Sequence, residues 1–313
     1  MLPIAGASIR VLYITGWGRS GSTLLGDILG QIQGFFHAGE LCLIWERGII
    51  ENRLCGCGSR LKECVVWKNI FSEFFAGTEQ VDPYKMVRLR ERGARTHHIP
   101  FMLMLGGKSL IKSRMREFLA VLEGLYQTVQ TRTGSRIIVD SSKFPSYGYL
   151  LGMIPTIDLY IVHLIRDSRG TAYSWGGRKM LYPDSQGPTY FRQYSPLGSA
   201  VRWSVKNVAA EMLWKHSRGR YLRLRYEDFI QDPHAAVRRI LDLVEEQASR
   251  LPFVTPNTVE LKSNHTVSGN PDRFQRGAVE LVPDQRWKVG MKKKDRILVT
   301  ALTSFLLLRY GYI

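Results

Sequence analysis

The feature that most constrains the fold is the segment 11–25, VLYITGWGRSGSTLL. An apolar run rich in β-branched and aromatic residues ends in glycines, and hydroxyl residues then open an apolar stretch with helical spacing. This order predicts a strand, a tight loop and a helix, with backbone N–H groups gathered at the positive end of the helix. We therefore expect a loop that binds phosphate or a related anion.

The spacing of this loop resembles that of the nucleotide-binding P-loop, but the P-loop lysine is missing. Gly16 and Gly21 have the required separation, whereas Ser22 stands where the lysine would be. That lysine normally bridges the β- and γ-phosphates, so its absence argues against transfer of a γ-phosphoryl group. The nearest cation is Arg19 inside the loop, and we expect its planar guanidinium to contact a non-bridging oxygen of the ligand.

The remaining apolar segments predict an α/β fold with a parallel sheet flanked by helices. Four apolar, β-rich segments are the expected strands: 11–15, 136–139, 159–165 and 221–226. Helices are expected at 113–131 and 234–246. We interpret the irregular regions 45–135 and 176–200 as helical and loop insertions that form a substrate cap over the sheet, within a single domain spanning 1–313.

The charge of the chain favours an anionic partner. The sequence holds 44 Lys and Arg against 27 Asp and Glu, a net charge of +17. This excess concentrates anions such as phosphorylated cofactors, acidic substrates or lipid headgroups. No helix-turn-helix, zinc-finger or RRM pattern organises the charge for nucleic acid, so we expect no nucleic-acid partner.

Nothing in the sequence predicts a membrane segment. The N-terminus lacks the charged start and long apolar core of a signal peptide. The most apolar late run, 297–308, is too short to span a bilayer and predicts a buried C-terminal helix. We therefore expect a soluble, cytoplasmic protein.

Three of the four cysteines are close together in the sequence: Cys55, Cys57 and Cys64, with Cys42 upstream. Their C-x-C-x6-C spacing differs from the paired C-x2-C of a zinc site, and no histidine lies nearby at ligand spacing. We therefore expect no metal, although the sequence leaves open whether these cysteines are free, bridged or metal-bound.

A second group of charged and hydroxyl residues follows the third expected strand. Arg166 ends this strand, and Ser174 comes eight residues later. If a helix starts near Asp167, Ser174 lies two turns along it, and both side chains could reach one further phosphate.

Together these segments resemble the motifs of the sulfotransferase family that uses 3′-phosphoadenosine-5′-phosphosulfate (PAPS). The 5′-phosphosulfate loop of that family is similar to the run Gly18, Arg19, Ser20, Gly21, Ser22 and Thr23. Its 3′-phosphate motif is similar to Arg166 and Ser174, and the late loop that closes over the 3′-phosphate is similar to Arg276 and Gly277. The segment from Asp140 to Lys143 resembles its lysine-containing motif, and the resemblance as a whole runs from about residue 11 to 288.

The resemblance implies transfer of a sulfuryl group from PAPS to a hydroxyl or amine by in-line displacement, without a metal. It implies that Arg19 holds the 5′ end of the donor and that Lys143 assists at the bridging oxygen or the sulfate. Glu40 resembles the carboxylate that some members use as general base, and His37 and Asp140 are the alternatives.

Two other functions remain open from the sequence. The first is a P-loop-type nucleotide kinase or NTPase, and the second is a protein that binds anions without catalysis. The acceptor, whether a small molecule, a glycan or a peptide, and the oligomeric state are not readable from the residues.

Overall fold

The computed structural model describes residues 8–77, 81–94, 98–104, 106–177, 180–184 and 187–313. Its strands in chain order are β1 (Ile9–Gly16), β2 (Phe35–Gly39), β3 (Ile137–Lys143), β4 (Ile157–Ile165), β5 (Met180–Asp184), β6 (Gly187–Tyr190), β7 (Tyr221–Arg225), β8 (Phe253–Thr255), β9 (Thr258–Leu261) and β10 (Gly277–Glu280).

The helices begin with α1 (Ser22–Leu29), α2 (Val65–Ala76), α3 (Pro83–Gly93), α4 (Ile99–Leu103), α5 (Gly107–Arg114), α6 (Arg116–Thr133) and α7 (Pro145–Leu151). They continue with α8 (Ser168–Gly176), α9 (Pro196–Trp214), α10 (Tyr226–Gln231), α11 (Pro233–Leu243), α12 (Arg286–Gly290) and α13 (Lys293–Arg309). Short 3₁₀ turns cover Leu41–Leu43 and Pro271–Phe274, and a π-helical segment covers Ile44–Ile50.

Within the described residues, five parallel strands form the central sheet in the order β2-β3-β1-β4-β7. Leu12 of β1 is paired with Val139 on one side and with Tyr160 on the other. Because all five strands run in the same direction, the residues that follow them meet at one edge of the sheet. The P-loop-like loop, Glu40, Lys143 and Arg166 all belong to this edge, so the topology itself assembles the site.

The four expected strands are confirmed as β1, β3, β4 and β7, and the expected helices as α6 and α11, with differences only at their ends. β1 is buried on both faces, as is typical of a central parallel strand. Its Leu12 and Ile14 pack with α1 and α11 on one face, whereas Val11 and Tyr13 pack with α6, α7 and α9 on the other. The result is a sheet between two layers of helices.

The C-terminal helix was expected to be buried, and this expectation is wrong for one of its faces. Val299, Thr303 and Leu307 pack towards α8 and α9, but Phe305 is 73% exposed and Leu308 is 62% exposed. The apolar run therefore covers more of the helix circumference than its neighbours bury. In the part of the chain that the structure describes, no helix is both long and apolar enough to cross a membrane.

The two regions interpreted as insertions contain regular elements. The region 45–135 contains α2 to α6, and the region 176–200 contains the hairpin of β5 and β6 before α9. Residues 78–80, 95–97 and 105 of the first region, and 178–179 and 185–186 of the second, lie outside the described residues.

Candidate functional site

A cavity of about 520 Å³ lies at the carboxyl edge of the sheet. It brings together most of the residues singled out in the sequence: Gly18, Arg19, Gly21, Ser22, Thr23, Glu40, Lys143, Arg166 and Ser174. These residues come from five separate segments of the chain, and each segment ends a strand of the central sheet, follows one or belongs to the helix after it.

The loop between β1 and α1 has the geometry of an anion site. Gly21 caps α1 with a φ of 85°, and a Cβ at this position would lie 2.7 Å from the ring of Tyr226, so a larger residue is excluded. The first N–H groups of α1 have no partners within the helix and point towards the cavity end. Backbone donors and the helix dipole therefore favour a negatively charged group next to Ser22 and Thr23.

Arg19 lies on the wall of this cavity with two unused donors. Its guanidinium carbon is 4.8 Å from the ring centre of Trp175 and 4.2 Å from that of Phe191, and Nη1 donates to Asn270 Oδ1 at 3.0 Å. The buried Nε and Nη2 have no hydrogen-bond partner among the described residues. Burial lowers the pKa of Arg19, while Asp272 and Glu40 oppose the shift. An anionic ligand would satisfy both donors.

Arg166 is held in place by contacts with the loop, with Asp284 and with Tyr226. It donates to the carbonyl of Arg19 at 3.1 Å, pairs with Asp284 at 2.9 Å, and lies 4.7 Å from the ring centre of Tyr226. Hydrogen bonds from Arg286, and less strongly from Arg166, hold the pKa of the Asp284 carboxyl well below its ordinary value. Burial opposes this shift but does not outweigh it.

The expected helix after Arg166 is α8, which brings Ser174 to the same cavity. Asp167 caps this helix by accepting from the backbone N–H of Arg169 at 2.8 Å. Ser174 therefore lies about two turns along α8, as the spacing in the sequence predicts.

Glu40 and Lys143 form an ion pair on the cavity wall. Lys143 Nζ donates to Glu40 Oε1 at 2.5 Å and to the carbonyl of Ser141 at 2.8 Å, and Arg47 lies 3.8 Å from the other Glu40 oxygen. Burial alone would raise the pKa of Glu40, but Lys143 and Arg47 together bring it below the ordinary value. Glu40 is therefore a carboxylate at neutral pH.

Positive charge dominates the lining of the cavity. Among the described residues it includes seven Lys and Arg side chains, Arg19, Arg47, Lys143, Arg166, Arg192, Lys206 and Arg286. The carboxylates on the same wall are Glu40, Asp272 and Asp284. Such an excess favours a ligand with several negative charges.

The two alternative bases, His37 and Asp140, are not on the cavity wall. His37 is 3% exposed, and its ring nitrogens lie 3.0 Å from Asp27 and 3.1 Å from Ser141. Asp140 is fully buried and accepts hydrogen bonds from Ser142. Both side chains therefore complete polar networks in the interior.

Three of the expected donor-binding residues do not line the cavity. The Ser20 hydroxyl turns back to the carbonyl of Trp17 at 2.8 Å and shapes the loop. Arg276 donates to the carbonyls of Arg273, at 2.8 Å, and of Gly56, and Gly277 begins β10 next to it. The late segment that borders the cavity instead contains Asn270, Asp272, Asp284 and Arg286.

Arg47, Asn270 and Asp284 also line the cavity, although no motif in the sequence points to them. Asn270 donates its backbone N–H to Thr23 Oγ1 at 3.2 Å and accepts from Arg19, although about 250 residues separate it from both. A Gly-Asn-Pro turn at 269–271 marks a loop in the sequence, but no local pattern indicates where that loop packs.

A parallel sheet with an anion-binding loop and a cation-rich cavity at its carboxyl edge defines a class of proteins that bind nucleotide-like anions. The model of the sulfotransferase family matches residues 12–249. The chain therefore belongs to the sulfotransferase family, which transfers sulfuryl groups. No curated protein matches the sequence.

One solved sulfotransferase structure supports the similarity of fold, and a second matches less closely. The sulfotransferase domain from the curacin biosynthetic pathway is 15% identical, with a TM-score of 0.51 over 94% of this chain and 96% of that domain. The sulfotransferase domain of the olefin synthase from Synechococcus PCC 7002 is 14% identical, with a TM-score of 0.45 over 97% and 98% of the two chains. At this identity the curacin domain supports the fold alone.

Proposed function

We propose that this protein transfers a sulfuryl group from PAPS to a hydroxyl (or amine) of an acceptor, with Glu40 as the general base. The observation that carries the proposal is the ion pair between Glu40 and Lys143, which lies on the wall of the same cavity as Arg19 and the start of α1. A base, a cation and an anion-binding loop therefore face one space.

The chemistry of the cavity suits a donor with separate anionic groups. The α1 N-terminus and the unused donors of Arg19 fit the 5′-phosphosulfate. Arg166 and Ser174 lie on the same wall and would hold the 3′-phosphate. In this proposal the cavity holds two anionic groups of the donor, which suits PAPS better than a donor with a single run of phosphates.

The reaction needs one proton acceptor and one cation near the leaving oxygen. The bond between sulfur and the bridging oxygen of the phosphosulfate breaks, a bond between sulfur and the acceptor oxygen forms, and Glu40 receives the hydroxyl proton. Negative charge develops on the bridging oxygen, where an N–H donor of Lys143 is stabilising. Adenosine 3′,5′-bisphosphate is the product that leaves.

The ion pair couples these two roles. Two of the three Lys143 N–H donors are used by Glu40 and by the Ser141 carbonyl, which leaves one for the donor sulfate. When Lys143 donates to the negative charge that develops on the bridging oxygen, its hydrogen bond to Glu40 weakens. The pKa of Glu40 then rises, so the carboxylate becomes a stronger base. The base therefore gains strength as the leaving group takes up charge.

A second cavity is our proposed site for the acceptor. It has a volume of about 770 Å³ and shares Leu43, Phe144 and Lys206 with the first cavity. Ile99 and Met212 continue its largely apolar wall. Lys206 lies 4.5 Å from the ring centre of Phe144, and burial lowers its pKa to about 8. We propose an acceptor with an apolar body that presents its hydroxyl at Glu40.

Thermal unfolding with candidate donors tests the proposal. PAPS and adenosine 3′,5′-bisphosphate should raise Tm by mass action, whereas ATP should raise it less at equal concentration. Stabilisation by ATP without stabilisation by PAPS would favour the P-loop kinase or NTPase instead. Turnover of labelled PAPS with a panel of apolar alcohols, phenols, sugars and peptides then distinguishes an enzyme from a protein that only binds anions.

A further inference from the structure

The three clustered cysteines meet a histidine that the sequence spacing does not reveal. The ligand atoms of Cys55, Cys57, Cys64 and His265 all lie within 4.8 Å of one another. Cys64 Sγ is 3.3 Å from His265 Nδ1, across 201 positions of sequence. Cys55 and Cys64 are buried, and Cys57 and His265 are partly buried. The cluster therefore joins two segments that are distant in the sequence at a mostly buried site.

The separation of these atoms suits a single tetrahedral ion. With Zn–S bonds of about 2.3 Å and Zn–N bonds of about 2.0–2.1 Å, the ligands of a zinc ion lie about 3.5 to 3.8 Å apart. The four atoms lie within 4.8 Å of one another, so a shift of about 1 Å would bring them to the separations that one zinc ion requires. Three cysteines with one histidine and no open position is a donor set of structural zinc sites.

The surroundings hold the cluster in this shape. Gly56 lies between two of the cysteines, and a Cβ there would be 1.7 Å from Asn264 Oδ1, so only glycine allows this approach. The Gly56 N–H donates to the carbonyl of Thr266 at 3.0 Å. The carbonyl of His265 accepts from Trp67 Nε1 at 2.6 Å, which fixes the backbone that carries the imidazole.

Two arginines carry positive charge that would balance the net negative charge of a zinc site of this kind. A zinc ion with three thiolates and a neutral imidazole carries a net negative charge. Arg273 donates to the carbonyl of Leu54 at 2.7 Å, and Arg276 donates to the carbonyl of Gly56, so both guanidinium groups lie against the backbone around Cys55. Arg276, which the sequence predicts to bind the donor, therefore contacts the cysteine loop.

The segment that carries His265 also completes the cavity described above. Asn264 donates to Asp27 Oδ1 of α1 at 3.0 Å, and the Val267 N–H donates to the carbonyl of Ala38 of β2 at 2.9 Å. Further along, Asn270 contacts both Thr23 and Arg19. A link between His265 and the cysteine loop would therefore fix the position of the segment that supports Arg19.

We propose that Cys55, Cys57, Cys64 and His265 bind one structural zinc ion, which fastens the segment 264–270 to the cysteine loop beside the anion-binding cavity. This binding is independent of the proposed reaction, since none of the four residues lines that cavity.

Metal analysis of the purified chain tests the proposal directly. Protein prepared with a thiol reductant and without metal-affinity resin should contain about one zinc per chain, as expected for a closed four-ligand site. Cys57→Ser and His265→Ala should lose the zinc, whereas Cys42→Ser, which removes the one cysteine outside the cluster, should retain it. His265→Cys should restore zinc, because a fourth thiolate replaces the imidazole, and a purely structural histidine would give no such rescue.

A second measurement uses the wild-type chain, in case the variants fold poorly. Zinc removed by a chelator and replaced by Co²⁺ should give the visible absorption of tetrahedral cobalt with thiolate ligands, and chelation should lower Tm. The proposal is overturned if the wild type contains no zinc and takes up none when Zn²⁺ is added. It is equally overturned by a disulfide among the three cysteines, or by zinc content that does not change in Cys57→Ser and His265→Ala.

Discussion

Lys143 Nζ lies 2.5 Å from Glu40 Oε1, so the residue that ends β3 neutralises the residue that follows β2. The two strands are neighbours in the sheet, and the pair forms because their carboxyl ends meet. Both side chains are mostly buried, with side-chain exposures of 18% and 12%. Buried pairs of this kind contribute little net stability by themselves, so the pair is not explained by stabilisation of the fold alone.

Replacement of Glu40 by glutamine should separate catalysis from donor binding. Glu40→Gln keeps the shape of the side chain but removes the proton acceptor, so turnover should fall by roughly 10²-fold or more. The Kd for adenosine 3′,5′-bisphosphate should change little, as measured by calorimetry. Glu260→Gln, an exposed position on β9, is the matched control. Near-normal turnover of Glu40→Gln would exclude Glu40 as the base.

Arg19→Ala should weaken binding of the bisphosphate. Removal of a charge-assisted contact of about 1.5–3 kcal/mol raises Kd by roughly 10- to 100-fold. Arg166→Ala should have a similar effect, and the exposed Arg296→Ala on α13 should have none. Arg276→Ala should weaken binding less than either cavity variant, since Arg276 contacts the carbonyls of Arg273 and Gly56. Unchanged affinity in Arg19→Ala and Arg166→Ala would refute the assignment of the donor cavity.

The sequence predicts the parts of the fold whose signal is local. β1 and β4 are mostly apolar because central parallel strands are buried on both faces, although β4 also buries His163. The edge strand β2 escaped prediction, since it is short and places His37 and Gly39 among its apolar residues.

The candidate site was predictable mainly where its residues lie next to an expected strand. Arg19 lies in the loop after β1, Lys143 ends β3 and Arg166 follows β4, and the parallel order brings them to one edge. Glu40 follows β2, which escaped prediction, and only its resemblance to a family carboxylate singled it out. The contact between His265 and Cys64 depends on how a late loop packs, and spacing along the chain carries no information about that.

A tryptophan placed in the second cavity should block the acceptor without affecting the donor. Val205 lines this cavity and is 48% exposed, so Val205→Trp would project an indole into the proposed path. Val201, one turn earlier on α9 and 49% exposed, is not among the lining residues and provides the matched control, Val201→Trp. With an acceptor identified from the panel, kcat/KM should fall by roughly 10-fold or more in the first variant only. Equal activities of the two variants would place the acceptor elsewhere.

Asp140 should make the stability of the protein depend on pH in a defined window. Burial raises the pKa of Asp140 from 3.8 to about 6, although bonds from Ser142 and Tyr126 oppose the shift. The folded state therefore holds this proton more tightly than the unfolded state does. The resulting stabilisation is complete below pH 3.8 and is lost as the pH rises through about 6.

Comparison with Asp140→Asn isolates this contribution, because the amide has the same shape and cannot ionise. Its oxygen can still accept from Ser142, and its NH₂ group can donate to the Tyr126 hydroxyl. Between about pH 4 and pH 7 the wild type should lose about 2 kcal/mol of unfolding free energy relative to the variant, measured by urea denaturation. Asp228→Asn, at an exposed position, controls for the change in charge. Parallel pH profiles of the wild type and Asp140→Asn would mean that the buried carboxyl group titrates alike in both states, which would contradict its position in the sealed network of Tyr126 and Ser142.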